Sequence, residues 1–456
     1  MEAKAQFTIW TSGCQMNDHD SEIMRALLEE DGYQWTSNPD NAEIIILNTC
    51  SVRKGAEQKA LGFLGNLKHQ KANKPDLVIA VGGCMSQNPE VREFLVKKAT
   101  FVNIIFGPRS YHQLPKFLQE ALEHKRRVIV DETSIESPGL LPAHHTSPVK
   151  ASVNIIYGCN NFCSYCIVPY TRGREKSRPL EEIYKEVYQL AADGYQEILL
   201  LGQNVNSYGK DLPGEINFAK LLARLDEIPD LSRIRYMTSH PRDASDELIE
   251  TIAASRKVCE HFHLPLQSGS NRILELMNRG YTREKFLGLT KKIRERIPEA
   301  SITTDVIVGF PGETEEDFHD TLDMMEQVRF DAAYTFLYSP RQGTPAAKME
   351  GQVSREVKKE RLARLMDLQN QITLEKNLPL ENQVVEVLVE GRSKRAPECW
   401  SGRTRTNKIV VFEGIDDQDL TGKMADILVN CARTWNLTGS LKKVHKKEEY
   451  VPLTRN

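Results

Sequence analysis

No stretch of this 456-residue chain stays apolar for long. Its longest apolar runs include Ile44–Leu47 and Ile198–Leu201, far short of the ~18–20 residues a membrane helix needs. No membrane span is therefore expected. The first ten residues, MEAKAQFTIW, lack a basic region leading into an apolar one, and they lack the Arg and Ser richness of a transit peptide. The expectation is a soluble cytoplasmic protein. An excess of one charge is missing too. Sixty Lys and Arg against 63 Asp and Glu leave a formal net charge of −3. That balance argues against bulk attachment to nucleic acid and leaves room for a local basic patch. A hydrophobic share of 40% with 27% charged residues excludes collagen-like and disordered classes. At ~100–200 residues per domain, the length suggests two to four domains.

The chain does have nine cysteines, an odd number. In a reducing compartment, clustered cysteines serve as metal ligands or catalytic groups more often than as disulfides. Their placement depends on how the chain is organised. Residues 1–136 read as alternating strands and helices. Strands are predicted at Phe7–Trp10, Ile44–Leu47, Leu77–Val81, Phe101–Phe106 and Val128–Val130, and helices at Asp20–Glu30 and Lys54–Gln70. Such alternation implies a parallel sheet. Residues 137–150, SPGLLPAHHTSPVK, read as a linker.

From Ala151 the alternation restarts, with strands expected at Val153–Tyr157, Glu197–Leu201, Arg233–Met237, His261–Pro265, Ile302–Val308 and Ala332–Leu337. Thr314 and Asp317 look like the cap of a helix over Glu315–Val328. These units suit a partial β/α barrel, and their count alone does not separate that from a doubly wound sheet. A long charged helix, Ser354–Asn377, ends this part. Residues 378–442 then change to short strands with Gly-containing turns, at Val384–Val389, Ile409–Phe412, Met424–Val429 and Leu437–Leu441, and read as a small all-β barrel. Residues 443–456 form a basic tail. The fold class expected is α/β: an N-terminal parallel sheet domain, a central partial β/α barrel and a C-terminal all-β barrel.

Cys159, Cys163 and Cys166 form Cys-x3-Cys-x2-Cys directly after the first strand of the central domain. In β/α barrels that is the face where active sites lie. Cubane clusters usually take four cysteines, so three leave one iron without a protein ligand. An open position is what a catalytic metal needs. The competing readings are a structural zinc loop short of one ligand, or chance. Tyr157, Phe162 and Tyr165 beside the loop either shield a cluster from water or simply pack.

Cys14, Cys50 and Cys84 form a second set. Each follows a predicted strand, in FTIWTSGC, EIIILNTC and LVIAVGGC. The carboxyl ends of parallel strands share one edge, so these remote cysteines would converge there. Three buried core cysteines are the plainer alternative. Cys259, Cys399 and Cys431 show no such pattern and read as structural.

The spacing of Cys159, Cys163 and Cys166 is similar to the radical S-adenosylmethionine (SAM) signature. Together the two cysteine sets resemble the radical SAM methylthiotransferase family over nearly the whole chain. TSGCQMNDHDSE (11–22) and GCNNFCSYCIVPYTRGREKSRP (158–179) resemble the MiaB-type branch, as do TSHPRD (238–243), LPLQSGS (264–270) and DVIVGFPGET (305–314). The resemblance implies two [4Fe–4S] clusters. An auxiliary one would sit on Cys14, Cys50 and Cys84, and the radical SAM one on Cys159, Cys163 and Cys166. It also implies a C-terminal TRAM domain that binds RNA. The implied reaction uses two SAM: one methylates a sulfur associated with the auxiliary cluster, and the other yields a 5′-deoxyadenosyl radical. The radical takes hydrogen from C2 of N6-isopentenyladenosine beside the tRNA anticodon, and a methylthio group is added there. Implied partners are that tRNA, an electron donor such as flavodoxin or ferredoxin, and sulfur or cluster delivery proteins. The same chemistry on threonylcarbamoyladenosine is a second reading. A non-catalytic Fe–S RNA-binding protein is a third.

Candidate SAM contacts are Gln203 and Asn204 after the second strand, where the acidic residue of the usual GGE-like motif is absent. Ser239 and His240 follow the third strand, Gln267 and Ser268 the fourth, and Asp305 lies near the fifth. Two basic groups are candidates for RNA. Arg172, Arg174, Lys176 and Arg178 alternate, which on an extended segment puts them on one face. Arg392, Lys394, Arg395, Arg403, Arg405 and Lys408 decorate the β domain and would supply phosphate contacts. Trp400 is a candidate stacking platform for an unpaired base.

Overall fold

The computed structural model describes residues 4–51, 54–132, 139–414 and 418–445. The first domain is a parallel sheet of β1 (Gln6–Ser12), β2 (Gln34–Trp35), β3 (Ile44–Thr49), β4 (Val78–Gly83), β5 (Ile104–Ile105) and β6 (Val128–Ile129). Its order is β2-β1-β3-β4-β5-β6. β3 and β4 are buried along their whole length, as strands covered on both faces must be. Side chains alternate between two cores. Ile44, Ile46, Ala80 and Ile104 face Met24 and Phe117, while Ile45, Leu47, Ile79, Val81 and Ile105 face Leu64 and Leu95. The predicted strand Phe101–Phe106 shrinks to β5, and the edge strand β2 was not legible.

The central domain contains β7 (Lys150–Asn154), the small antiparallel pair β8 (Ile156–Tyr157) and β9 (Lys176–Ser177), then β10 (Glu197–Leu201), β11 (Arg233–Tyr236), β12 (His261–His263), β13 (Ser301–Val308) and β14 (Ala332–Leu337). Two parallel three-stranded sheets, β11-β10-β7 and β12-β13-β14, are joined by a parallel bridge from Ile234 to Val258. The six strands therefore follow chain order in one open arc. This is a partial β/α barrel and not a doubly wound sheet, whose order would reverse partway. The expected cap is present: Thr314 and Asp317 make a reciprocal capping box for helix Glu315–Val328. Helix Arg355–Asn377 buries Leu365 and Ile372 in the central core.

Described residues of the expected linker are packed rather than loose. His145 and helix residue His19 each place Nδ1 3.2 Å from Glu22 Oε2, and the Thr146 backbone N–H donates to the other carboxylate oxygen at 2.9 Å. The segment is thereby strapped to helix Gln15–Glu30.

The last domain is a closed barrel of β15 (Val384–Arg392), β16 (Trp400–Arg403), β17 (Ile409–Glu413), β18 (Met424–Ala432) and β19 (Leu437–Val444), in the order β15-β16-β17-β19-β18. Ion pairs fix it to the central arc: Arg233–Glu386 (2.9 Å), Arg405–Glu260 (2.7 Å), Lys408–Asp331 (3.3 Å) and Lys150–Glu390 (3.3 Å). On the arc side, each partner opens a strand or directly precedes one. The barrel thus docks at the amino ends of the strands, opposite the cysteine loop. Lys443 and Val444, which open the expected basic tail, lie in β19 and His445 follows it, while residues 446–456 are outside the described residues. No helix among the described residues is long and apolar enough to cross a membrane.

Candidate functional site

The cysteine loop leaves β8 through Gly158, which has φ +68. A Cβ there would lie 2.1 Å from the Arg174 carbonyl oxygen, so the loop needs glycine. Backbone bonds then hold the loop. The Cys159 N–H donates to Gly173, Cys166 to Cys163 and Ser164 to Met277, at 2.9–3.1 Å. Arg279, also buried, donates Nη1–H to Cys163 Sγ at 3.2 Å. Burial pushes the Cys159 and Cys166 thiols up to about 12. Without a bound cation they would stay protonated at neutral pH. A donor set of three sulfurs in a dry pocket therefore fits a metal cluster, whose positive charge offsets the desolvation of thiolates.

The second set converges as expected, because β1, β3 and β4 are neighbours. Cys14 caps helix Gln15–Glu30, and Cys50 and Cys84 directly follow β3 and β4. A side-chain hydrogen bond with Cys50 holds the Cys14 thiol down at about 6, opposed by burial and aided by the Arg172 charge. Burial raises the Cys84 thiol, against the pull of the same arginine. Gly83 has φ +85, and a Cβ there would sit 2.4 Å from the Thr49 carbonyl oxygen. The tight approach that brings Cys84 beside Cys50 thus depends on glycine. An asparagine pair braces the other side, with Asn17 Nδ2 donating to Asn48 Oδ1 at 3.0 Å and Cys14 Sγ to Asn17 Oδ1 at 3.3 Å.

Arg172 joins the two sets. It ends the short helix Val168–Thr171 that follows Cys166. Its Nε–H donates to Cys84 Sγ at 3.2 Å, and Nη2 to Asp20 Oδ2 at 2.7 Å. The segment that follows Cys166 is therefore anchored at Cys84 and Asp20 of the first domain.

Most SAM candidates surround the carboxyl ends of the arc. Asn204, Ser239, His240, Gln267 and Ser268 are buried, and Gln203 is half-buried. Asn204 Oδ1, His240 Nε2 and Gln267 Oε1 are buried without a hydrogen-bond partner among the described residues. So are both amide atoms of Asn206, which sequence reasoning missed, while Asn154 at the end of β7 shares a side-chain hydrogen bond with Tyr157. Buried polar atoms are normally paired, so this ring fits a polar ligand such as SAM. Gln267 has φ +70 and neighbouring Thr238 has φ +63, placing backbone strain at two of these strand ends. Ser268 points elsewhere: its hydroxyl accepts from the Ser270 backbone N–H and lies 3.5 Å from Thr321 on an outer helix. Asp305 lies within β13, 3.5 Å from His263 Nε2. Asp243, also missed, accepts from Asn204 at 2.7 Å and from Lys210 at 2.7 Å. It brings a carboxylate to the strand end where the GGE-like motif lacks one. Glu313 accepts from the Gly309 N–H and from Arg361, both at 2.8 Å, and so closes a turn.

Several expected RNA contacts need correction. Arg172 and Arg178 are buried, while Arg174 and Lys176 are exposed. The four do not share a face, because only Lys176–Ser177 is extended and Arg172 ends a helix. Arg178 instead bonds the Asn154 carbonyl at 2.8 Å and pairs with Glu186 at 2.7 Å. Arg405 is tied to Glu260, and Lys408 to Asp331 and Asn377. Trp400 is 3% exposed and packs in the barrel core with Val387 and Phe412. An indole so buried offers no face to a base. Arg392 covers it at 4.1 Å and is itself exposed, as are Lys394 and Arg395, while Arg403 pairs with Glu390 at 3.2 Å. The aromatic that does stand out is Trp435, 64% exposed between β18 and β19. One tryptophan in a polar turn has no periodic signal, so pattern reading passed it over.

Three family models match: the radical SAM superfamily over residues 153–325, the uncharacterized protein family UPF0004 over 6–107, and the TRAM domain over 380–442. Among curated proteins, the tRNA-2-methylthio-N(6)-dimethylallyladenosine synthase of Thermoanaerobacter pseudethanolicus is 53% identical, over 96% of this chain and 93% of that protein. The synthase of the same name from Moorella thermoacetica is 53% identical over 97% and 99%. That of Carboxydothermus hydrogenoformans is 50% identical over 96% and 100%. Among solved structures, the radical SAM methyltransferase TsrM from Kitasatospora setae, with tryptophan and a SAM analogue bound, is similar at a TM-score of 0.52. It is 16% identical and covers 75% of each chain, a likeness of fold alone.

Proposed function

Because the chain belongs to the tRNA-2-methylthio-N(6)-dimethylallyladenosine synthase family, we propose that it adds a methylthio group to C2 of N6-isopentenyladenosine beside the tRNA anticodon, using two SAM and a sulfur associated with an auxiliary [4Fe–4S] cluster. It is a radical SAM enzyme, and the cluster of that family, when bound with SAM, supplies the 5′-deoxyadenosyl radical. In our reading Cys159, Cys163 and Cys166 hold that cluster, and Cys14, Cys50 and Cys84 hold the auxiliary one. The observation that carries the reading is Arg172, which ties the segment after Cys166 directly to Cys84. A sulfur donor and a radical source facing one pocket is what this transfer requires.

The chain's own residues have plain tasks in this scheme. Asn204, Asn206, His240 and Gln267 bind SAM with polar atoms that have no hydrogen-bond partner among the described residues. Tyr165 and Tyr281, grouped with Arg279 at Cys163, wall off water, which protects a reactive radical from side reactions. Arg392, Lys394, Arg395 and Trp435 on the barrel, with Arg174 and Lys176 near the mouth, contact tRNA. The reductant is a flavodoxin or ferredoxin, delivery proteins supply the clusters, and the setting is the cytoplasm.

The test is an anaerobic assay of the reconstituted protein with SAM, dithionite and isopentenylated tRNA, followed by mass spectrometry of tRNA nucleosides and of 5′-deoxyadenosine. We expect 5′-deoxyadenosine together with 2-methylthio-N6-isopentenyladenosine, and Cys14→Ala abolishes the second while leaving the first detectable. Radical production with unchanged tRNA would refute the substrate, and methylthiolation of threonylcarbamoyladenosine instead would replace it. Two intact clusters with neither product would make the protein a non-catalytic Fe–S RNA binder.

A further inference from the structure

Arginine is the bulkiest cation a protein has, and burying it is costly unless every donor is used. Arg172 is 5% exposed at the junction of two domains. It belongs to the central domain by sequence, six residues beyond Cys166, yet Asp20 and Cys84, to which its side chain donates, both lie in the first domain. Asp20 fixes one arm of the fork through Nη2 at 2.7 Å, and Asp20 is itself buried, on the helix that Cys14 caps. With the fork held, Nε–H is aimed at Cys84 Sγ, 3.2 Å away. A thiol is a poor acceptor, whereas a thiolate bound to iron accepts well from a charged donor. The arrangement therefore suits a loaded site better than an empty one.

We infer that Arg172 is a positioning residue shared between the domains: it registers the auxiliary cysteines against the radical SAM loop, and it sets the reduction potential of the auxiliary cluster by donating Nε–H to Cys84. This rests on the proposed assignment of an auxiliary cluster to Cys14, Cys50 and Cys84. The physical basis is the general dependence of Fe–S potentials on net charge and on hydrogen bonds to sulfur. Reduction adds an electron to a buried group. A cationic donor at one sulfur favours the reduced form, so its removal makes the potential more negative. Arg279 on Cys163 Sγ is the corresponding contact at the other set, but it comes from the same domain as its cysteine and carries no registering role.

The test uses full-length protein with Cys159, Cys163 and Cys166 changed to Ala, so that any cluster sits on the first domain. Arg172→Met and Arg172→Lys are made in this background and in the native chain. EPR-monitored redox titration of the Ala background reads the auxiliary potential directly. We expect Arg172→Met to shift it negative with iron content retained, and Arg172→Lys, which keeps the charge but not the fork, to fall between. In the native background, Arg172→Met should lower the ratio of methylthio product to 5′-deoxyadenosine by at least about tenfold, with Lys restoring part of it. If Arg172→Met binds iron as well as its parent and its potential and product ratio do not move, the inference is wrong. If Met fails to load iron, the Lys variant decides on the same two readouts. If the Ala background with Arg172 intact assembles no cluster, it is the auxiliary-site assignment that fails.

Discussion

Changing Glu386 to Leu gives the sharpest test of how the C-terminal barrel is attached. Glu386 lies on β15, and its carboxylate meets Arg233 at 2.9 Å across the domain boundary. The Arg233 side chain is 0% exposed. Its Nη1 donates to the Arg403 carbonyl at 2.6 Å, while Nε has no hydrogen-bond partner among the described residues. Glu386→Leu therefore leaves a guanidinium in a dry site with the Arg403 carbonyl as acceptor and, as the nearby opposite charge, the buried carboxylate of its cross-strand neighbour Glu197, which Arg235 already engages. Removing one partner of a buried pair costs ~3–5 kcal/mol. Adding Arg233→Met removes the stranded charge and leaves mainly the unpaired Arg403 carbonyl, a penalty of ~1–3 kcal/mol. The double variant should thus be more stable than Glu386→Leu alone by ~2 kcal/mol, although it carries one more change. Urea unfolding of the apoprotein, followed by tryptophan fluorescence to which buried Trp400 contributes, measures all three. If Glu386→Leu costs under ~1 kcal/mol, or if the two substitutions simply add, the pair is not the buried clamp described above.

The other predictions concern acid, glycine and tryptophan. Burial, then the Arg279 charge, holds His240 down at about 2, so the folded state keeps it neutral while the unfolded chain protonates near pH 6.5. Its stabilisation is complete above that pH and declines as pH falls, by ~1.4 kcal/mol at pH 5.5, and His240→Gln should remove that part of the slope in acid-unfolding curves. Gly83→Ala forces a Cβ against the Thr49 carbonyl. On the proposed assignment of two four-iron clusters, iron bound to the reconstituted protein should drop by about half, while SAM cleavage persists. Trp435→Ala should weaken tRNA binding by ~1–3 kcal/mol with the fold intact. Trp400→Ala should instead destabilise the barrel by ~3–5 kcal/mol, and equal effects on binding from both would contradict the separation.

The cysteine pattern was readable because it is local. Cys159, Cys163 and Cys166 share one loop, and Cys14, Cys50 and Cys84 each follow an apolar run that can only be a strand. Once neighbouring strands are parallel, their carboxyl ends must meet. The Glu315–Val328 helix was read to the residue because its capping box lies within four positions. Basic residues resisted the same treatment. Arg172, Arg174, Lys176 and Arg178 look alike in sequence, yet two are buried and two exposed. Whether an arginine meets solvent, a carboxylate or a cysteine sulfur depends on residues far away along the chain.

By itself, then, the sequence determined the three-part α/β architecture and the two cysteine sets, since periodicity, strand ends and short spacings are properties of neighbouring residues. Only the tertiary structure decided the rest. It closed the choice between a partial barrel and a doubly wound sheet through the bridge from Ile234 to Val258. It moved Trp400 inward and Trp435 outward, and it made Arg405 a domain clamp. It also turned Arg172 from a surface cation into the link between the two cysteine sets. The reason is physical: a long charged side chain takes its partner from whatever the fold brings within a few ångströms, and neither composition nor periodicity encodes that neighbour.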